Sequence, residues 1–559
     1  MTELNPVERQ PSEIQLVLEE YAQDVELVDR YYDIPIVQSD LDKKKQFFLT
    51  YQKTLDGLDF DAMSQSERID YFLFKTKLEY ELRQLLYEER RNREIAQWVP
   101  FYETIARFES QRRQLEAIDS STVAARLASL PQQIIDLRQS LEKPNDAEGV
   151  SGERLTLAHR AAKMVDELRE ILQRWYDFYN GYDPVFTWWV NDPYQEADIA
   201  IQEYASFLRE DIIGMKEEAD APIIGDAIGR EALLNELANA MIPYSPEELI
   251  AIGRTEFAWC KQEMTRASHA LGYGDNWQQA LEHVKQAHVA PGEQPRLIQE
   301  LALEAINFLE EHDLVTIPPL ARQMWRMSMM SPERQKETPF FTGGEVISVS
   351  FPTDSMPHEQ KLMSMRGNNK HFARATVQHE LIPGHHLQGF MARRHRQYRR
   401  VFATPFFVEG WALHWEMLLW NLEFAVKPED RIGMLFWRLH RCARIIFSLG
   451  FHLGEMTPEE CIDMLVDQVG HEKANAIAEV RRSFEGSYPP LYQCAYMIGG
   501  LQIRALHKEL VASGKMTHRE FHDALLRENA IPVEMIRASL TNQELHRDFS
   551  SSWKFAGAS

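Results

Sequence analysis

The chain has 559 residues, long enough for a large buried core and, by length alone, for two to four domains. Its 85 acidic residues against 61 basic ones leave a formal net charge of −24, which disfavours nucleic acid and anionic membrane surfaces as partners and favours solubility. The four cysteines, Cys260, Cys442, Cys461 and Cys494, are widely spaced with no C-x-x-C pair, so a disulfide framework or a cysteine-built structural zinc is not expected.

No basic start followed by an apolar run opens the sequence, so no signal peptide is expected, and the cytoplasm is the default location. From Ser12 to about Leu115 apolar residues recur at three-and-four spacing among Glu, Lys, Gln and Arg, which predicts helices. Ser64-x-x-Glu67 predicts a capping box that opens a long helix through Tyr71, Leu78, Leu82 and Leu86, with a solvated charged face. A helix over 119–142 follows, with Pro131 near its middle. Lys143 to Gly152 is loop-like in composition and reads as a linker between helices, because the pattern on its two sides is the same.

Trp175, Tyr176, Phe178, Tyr179, Tyr182, Phe186, Trp188 and Trp189 form a dense aromatic run, interrupted by an Asp183-Pro184 turn. Such density predicts a core or a contact between lobes. Ser245-Pro-Glu-Glu248 predicts a capping box with proline at the first helical position, opening a helix to about Leu271. Thr457-Pro-Glu-Glu460 and Thr517-x-x-Glu520 repeat the device. Between Thr338 and Pro352, Gly343-Gly344 separates two short β-prone runs, which predicts a hairpin.

The chemistry-bearing stretch is Thr376-Val-Gln-His-Glu-Leu-Ile-Pro-Gly-His-His-Leu-Gln388. Neutral imidazole is the commonest protein ligand for zinc, and a Glu beside a ligating His can serve as general base. His379 and Glu380 fit that pair. In the usual H-E-x-x-H helix the second His comes four residues on, but Pro383 stands there. On an ideal helix His385 would point about 240° away from His379 at ~100° per residue. His386 returns to the same face roughly 10.5 Å along the axis, at ~1.5 Å per residue. Pro383 must bulge, kink or end the helix and Gly384 permits a tight bend, so either His385 or His386 can reach a metal with His379.

The best third donor is Glu409, a charge in the middle of the otherwise apolar, aromatic stretch Thr404-Pro-Phe-Phe-Val-Glu-Gly-Trp-Ala-Leu-His-Trp-Glu416, where a cation would compensate its burial. Glu416, seven residues on, lies on the same face as a natural acceptor for a ligand His N–H. The surrounding apolar region, about 401 to 426, also carries His414 and Glu423, so no transmembrane span is expected. Beyond it, Arg431 to Leu453 and Ala474 to Phe484 read as helices carrying Arg441, Arg444, Arg481 and Arg482. Gly499 and Gly500 fit a tight helix crossing, and the tail from Phe549 to Ser559 reads as a poorly ordered end.

His379-Glu-x-x-Pro-Gly-His-His386, Glu409-Gly-Trp-Ala412 and Gln493-x-x-Tyr496-x-x-Gly499 together resemble the bacterial family known as domain of unknown function 885, placed with zinc-dependent metallopeptidases. The resemblance spans most of the chain, with its specific part between about 370 and 510. More distantly, the chain is similar to helical gluzincin carboxypeptidases and angiotensin-converting-enzyme-like dipeptidases. In those, a Glu about two dozen residues past the second His completes the site. Glu409 lies 24 residues after His385, so the resemblance favours His385 over His386. It also puts Tyr496 near the metal, where its hydroxyl could donate to a developing oxyanion.

The expectation is a mainly α, large helical zincin-like (gluzincin) fold with a cleft. Residues 1–330 would wall one side and 331–559 would supply the metal, in one continuous catalytic unit. Zn2+ would be held by His379, His385 or alternatively His386, and Glu409, with Glu380 as general base and short peptides as substrate. The residues by themselves support only a metal-dependent hydrolase. A hydrolase of a non-peptide amide or ester, and a non-catalytic helical binding protein with a structural metal site, are the rival readings.

Overall fold

The apolar periodicity is realised almost wholly as helix. The computed structural model describes residues 11–34, 36–142, 152–215, 222–337, 340–485 and 488–556, and among these it holds a single two-stranded sheet. The loop-like stretch 143–151 and the first ten residues lie outside the described ones. No described helix is long and apolar enough to cross a membrane.

The chain forms two compact units. One comprises Val25–Thr50 and Glu81–Asp226. Its helices include α1 (Tyr102–Arg113), α2 (Ser120–Ala128), α3 (Leu130–Glu142), α4 (Gly152–Tyr179) and α5 (Pro184–Phe207). The expected single helix over 119–142 is two helices. Pro131 is tolerated because it occupies the first turn of α3, where its missing N–H costs nothing. Asp183 caps α5, accepting from the amides of Val185 and Phe186. The aromatic run, expected to form a core or a contact between lobes, divides. Trp175, stacked on Phe108 at 4.8 Å, and Phe186 are core, whereas Phe178, Tyr182, Trp188 and Trp189 are exposed. At about 3.6 residues per turn, Trp175 and Tyr176 of α4 and Phe186 of α5 fall on faces turned to the core, while Phe178, Trp188 and Trp189 fall on faces turned away from it.

The other unit comprises Met1–Asp24, Tyr51–Tyr80 and Ala227–Ser559, so the contacts do not divide the chain at residue 330. The reason lies in the packing. Helix α6 (Pro246–Ala270) packs along α11 (Pro428–His452), and α7 (Gln294–Glu311) lies against α8 (Lys370–Glu380). Ile298, Leu301 and Ala302 of α7 share one core with Ala373 and Val377 of α8 and Leu381 just after it. The remaining helices used below are α9 (His385–Ala392), α10 (Pro405–Asn421), α12 (Lys473–Phe484), α13 (Tyr492–His507) and α14 (His518–Arg527).

The early segment 51–80 is stitched to the end of the chain. Gln65 donates to the carbonyls of Ala538 and Gln543, Arg68 donates to that of Leu545, and Phe72 packs on Phe549. Asp70 accepts from the fully buried Arg399 at 2.7 Å, and Arg399 also pairs with Glu528. The described part of the tail, 549–556, is therefore held, contrary to the expectation of a loose end, while 557–559 lie outside the described residues: Phe555 is buried beside Tyr244, and Ser551 donates to the carbonyl of Met241.

The predicted hairpin is replaced by a different pairing. Strand β1 (Arg326–Met329) runs parallel to β2 (Val346–Val349), in register from Arg326 with Val346 to Met329 with Val349. Among the described residues the hairpin survives only as one antiparallel bridge between Thr342 and Ser348. The two-glycine turn is fitted against the end of α8: the Gly344 amide donates to the carbonyl of Glu380 at 3.3 Å. A Cβ on Gly343 would come within 2.7 Å of the Glu380 Cα.

Candidate metal centre

Asn369 opens α8 by accepting from the amides of His371 and Phe372, and the helix ends at Glu380, where Pro383 cannot continue it. Gly384 completes the break. A Cβ at that position would lie 1.7 Å from the carbonyl oxygen of His379, so only glycine fits. Helix α9 starts at once with His385, and the break turns that ring toward His379, with centroids 4.9 Å apart. His386 leaves on another side, its Nε2 lying 2.7 Å from the carbonyl of Ala321. Of the two alternatives open in the sequence, His385 is brought to His379 and His386 is not.

Helix α10 supplies Glu409 and Glu416, both buried. It crosses α13 in near backbone contact, the tight crossing expected at Gly499. A Cβ on Gly410 would sit 2.4 Å from the carbonyl carbon of Gly499, and one on Gly499 would sit 1.8 Å from the carbonyl oxygen of Phe406. The Trp411 indole N–H donates to the carbonyl of Pro383 at 2.8 Å, tying α10 to the break between α8 and α9. Gln493 of α13 donates to Ser483 of α12 at 2.7 Å.

These elements converge on His379, His385 and Glu409, whose ligand atoms all lie within 4.8 Å of one another. Glu409 Oε2 is 3.2 Å from His385 Nε2 and 3.6 Å from His379 Nε2. A tetrahedral ion bonded at about 2.0–2.1 Å spaces its donor atoms roughly 3.4 Å apart. Glu409 Oε2 is buried with no hydrogen-bond partner among the described residues, an arrangement that is costly unless a cation faces it. His379 Nδ1 lies 2.7 Å from Glu416 Oε1, which assigns the proton to Nδ1 and frees Nε2 as a ligand. Two imidazoles and a carboxylate form a donor set suited to zinc.

The electrostatics favour positive charge at the same point. Burial works against a charged His379, but the neighbouring carboxylates of Glu409 and Glu416 outweigh it and carry the imidazole up to about 9. His385 is raised as well: burial opposes its charge, and Glu409 overcomes that. Burial pushes the Glu409 carboxyl upward, yet the two imidazoles hold it well below the ordinary range. A zinc ion among the three would replace protons that the site already attracts.

A cavity of about 570 Å³ opens over the trio and is also lined by Glu380, Tyr492, Tyr496, Arg441, Arg444 and Arg482. Glu380 is half-buried, and its carboxyl is raised chiefly by burial. The Tyr496 ring stacks on His379 with centroids 6.1 Å apart and planes 17° from parallel. Burial, reinforced by Glu409, pushes its phenol up, so it stays a donor.

Tyr492 was missed in the sequence. Its hydroxyl donates to Glu409 Oε1, and the signal was its position four residues before Tyr496, on the same helix face. Arg441, Arg444 and Arg482 were visible there as arginines without an assigned role.

The family described as "Bacterial protein of unknown function (DUF885)" matches residues 29–540. No curated protein matches the chain. Among solved structures, the fold is shared with a protein of unknown function from Shewanella oneidensis, provisionally called a lipoprotein. That similarity is 16% identity and a TM-score of 0.67, covering 95% of this chain and 100% of that one. A protein from Colwellia psychrerythraea, also provisionally called a lipoprotein, is 15% identical with a TM-score of 0.60, covering 95% of this chain and 99% of that one. At these identities the likeness is one of fold.

Proposed function

The chain belongs to that bacterial family, and from this premise we propose that it is a zinc-dependent hydrolase, a metallopeptidase of the gluzincin kind that cleaves short peptides. The carrying observation is the mutual facing of His379, His385 and Glu409, with the orphaned Glu409 Oε2 between two imidazoles, at the floor of a cavity that also holds Glu380. Bound there, zinc would supply Lewis acidity, lowering the pKa of a coordinated water to about 7 and polarising a carbonyl.

The chain's own residues would do the rest. Glu380 takes the proton of the attacking water on its carboxylate and returns it to the leaving amine nitrogen. Tyr496, kept protonated by burial, donates to the oxygen on which negative charge develops. Glu416 holds the His379 ring through Nδ1, and Tyr492 holds Glu409 through Oε1.

Metal analysis by plasma mass spectrometry on wild type and His379→Ala, followed by a peptide library, tests the reading. About one zinc per chain in wild type, none in the variant and cleavage of short peptides by the loaded wild type support it. Wild type that takes up no zinc, or a variant with full zinc, overturns it. Hydrolysis of small amides with every peptide left intact would move the assignment to a non-peptide substrate.

A further inference from the structure

Arg441 and Arg444 stand nearly one turn apart on α11, and each places its guanidinium carbon 4.6 Å from the centre of the Tyr496 ring. Both are inside the protein, 6% and 2% exposed. Arg444 Nε donates to Glu479 Oε1 at 2.7 Å, and Arg482 Nε lies 3.4 Å from the other oxygen of that carboxylate. One acid thus faces two guanidinium groups.

Among the described residues the carboxylate within 4 Å of Arg441 is Glu416, 3.9 Å away through Oε1, the atom engaged with His379 Nδ1, and the charge of Glu380 also reaches this arginine. Two donor atoms are left over. Arg441 Nε and Arg444 Nη1 are buried without an acceptor among the described residues.

A guanidinium does not shed its proton, so such a deficit is not relieved by titration. Leaving charged donors unmatched in a buried site is costly, and an anion that fits the planar fork relieves the deficit. Both arginines line the cavity that holds the metal trio, and the Tyr496 ring adjoins both the guanidinium pair and His379. An extended peptide covers about 3.5 Å per residue, so roughly one to three residues join the two places.

We infer that Arg441 and Arg444 form a carboxylate-binding subsite, and that the substrate carries a carboxylate within about three residues of the bond cleaved. The inference rests on the reading of the trio as a hydrolytic centre acting on peptides. A peptide has two sources of such a group: its own C-terminus, or an aspartate or glutamate side chain close to the cleaved bond. Both offer the same planar pair of oxygens to the guanidinium forks.

The test compares matched short peptides on the zinc-loaded wild type: free C-terminus, C-terminal amide, and C-terminal amide with a glutamate added within three residues of the bond. Amidation is expected to lower kcat/KM by about 10- to 100-fold, the worth of one or two charge-assisted hydrogen bonds. Recovery by the added glutamate assigns the side chain as a source, and no recovery assigns the C-terminus.

Arg441→Gln should erase the difference between free and amidated peptides while zinc stays at one per chain, and Arg441→Lys should restore part of it. Equal cleavage of free and amidated peptides overturns the subsite and leaves the hydrolase standing. If loaded wild type cleaves no peptide, the hydrolase reading fails, and calorimetry with N-acetyl-alanyl-alanine decides the subsite separately. Binding lost on amidation and in Arg441→Gln supports it, and binding indifferent to both overturns it.

Discussion

Tyr492 and Glu409 share a hydrogen bond that divides one carboxylate between two tasks: Oε1 accepts from the tyrosine hydroxyl, and Oε2 is left facing the two imidazoles. Burial, with the charges of Tyr496 and Glu409 adding to it, pushes the tyrosine phenol far up, so the hydroxyl remains a donor at neutral pH. The bond selects which oxygen would be presented to a metal.

Tyr492→Phe should therefore weaken zinc binding without abolishing it. Loss of a group that orients a ligand typically costs about 10- to 100-fold in metal affinity. Competition with a chelator of known affinity measures this, and an unchanged affinity would show that Glu409 is held by packing alone.

Glu380→Gln keeps the shape and the hydrogen-bonding oxygen but cannot accept a proton. We expect zinc at about one per chain and a fall in kcat of at least roughly 10²- to 10⁴-fold, the usual worth of a general base. Full activity in this variant would remove Glu380 from the mechanism.

The Gly410–Gly499 crossing has no slack, because the atoms that an added Cβ would meet are backbone. Gly410→Ala should destabilise by at least about 1–3 kcal/mol through overpacking. Gly499→Ala should do more, since its Cβ would fall 1.8 Å from a carbonyl oxygen. Glu409 sits next to the crossing, so zinc affinity should fall with stability. Urea unfolding midpoints within error of wild type would mean the helices can part at little cost.

A second histidine cluster predicts acid sensitivity. His414 and His522 meet through Nε2 at 3.0 Å, His507 and His518 meet at 3.0 Å, and Arg504 adds positive charge near His414. Burial first, then mutual repulsion, holds His507 down to about 4, and burial holds His522 down to about 3. Below pH about 6.5 the unfolded chain binds protons that the folded chain refuses. Stability from these groups is thus complete above that pH and is lost as pH falls toward their folded values. For the fully buried His522 the slope approaches about 1.4 kcal/mol per pH unit. In the metal-free protein His379 acts in another window, between 6.5 and about 9, where its contribution declines as pH rises. Urea unfolding at pH 6.5 and 5.0 checks the acid limb: His522→Gln should be less stable at both but show the shallower dependence, and an identical slope would clear the cluster of this role.

Much of this architecture was legible from local signals. The capping boxes at Ser245, Thr457 and Thr517 all form, because a cap is decided within four residues. Pro383 and Gly384 forced a break between His379 and His385, and the break is there. What local pattern could not decide was distance in space. Helix geometry left both His385 and His386 open, only the resemblance's spacing to Glu409 favoured His385, and the angle of the break brings that ring to His379. Gly343-Gly344 looked like a hairpin turn, but its backbone is committed to Glu380, and β2 takes a parallel partner some twenty residues upstream. Arg441 and Arg444 resembled many other arginines on helices until the acids near them proved too few. The division of the chain was equally hidden, since one unit is assembled from three separate stretches.

That assembly bears on how the protein is made. Gln65, Arg68 and Asp70 find their partners at Ala538, Leu545, Arg399 and Glu528. At about 5–20 residues per second on the ribosome, the segment around residue 65 waits roughly half a minute to a minute and a half for the last of them. The stretch from residue 81 to 226 emerges whole much earlier and can collapse on its own contacts. The nascent chain therefore carries an unpaired early segment until the stretch from Arg399 to Leu545 has been made.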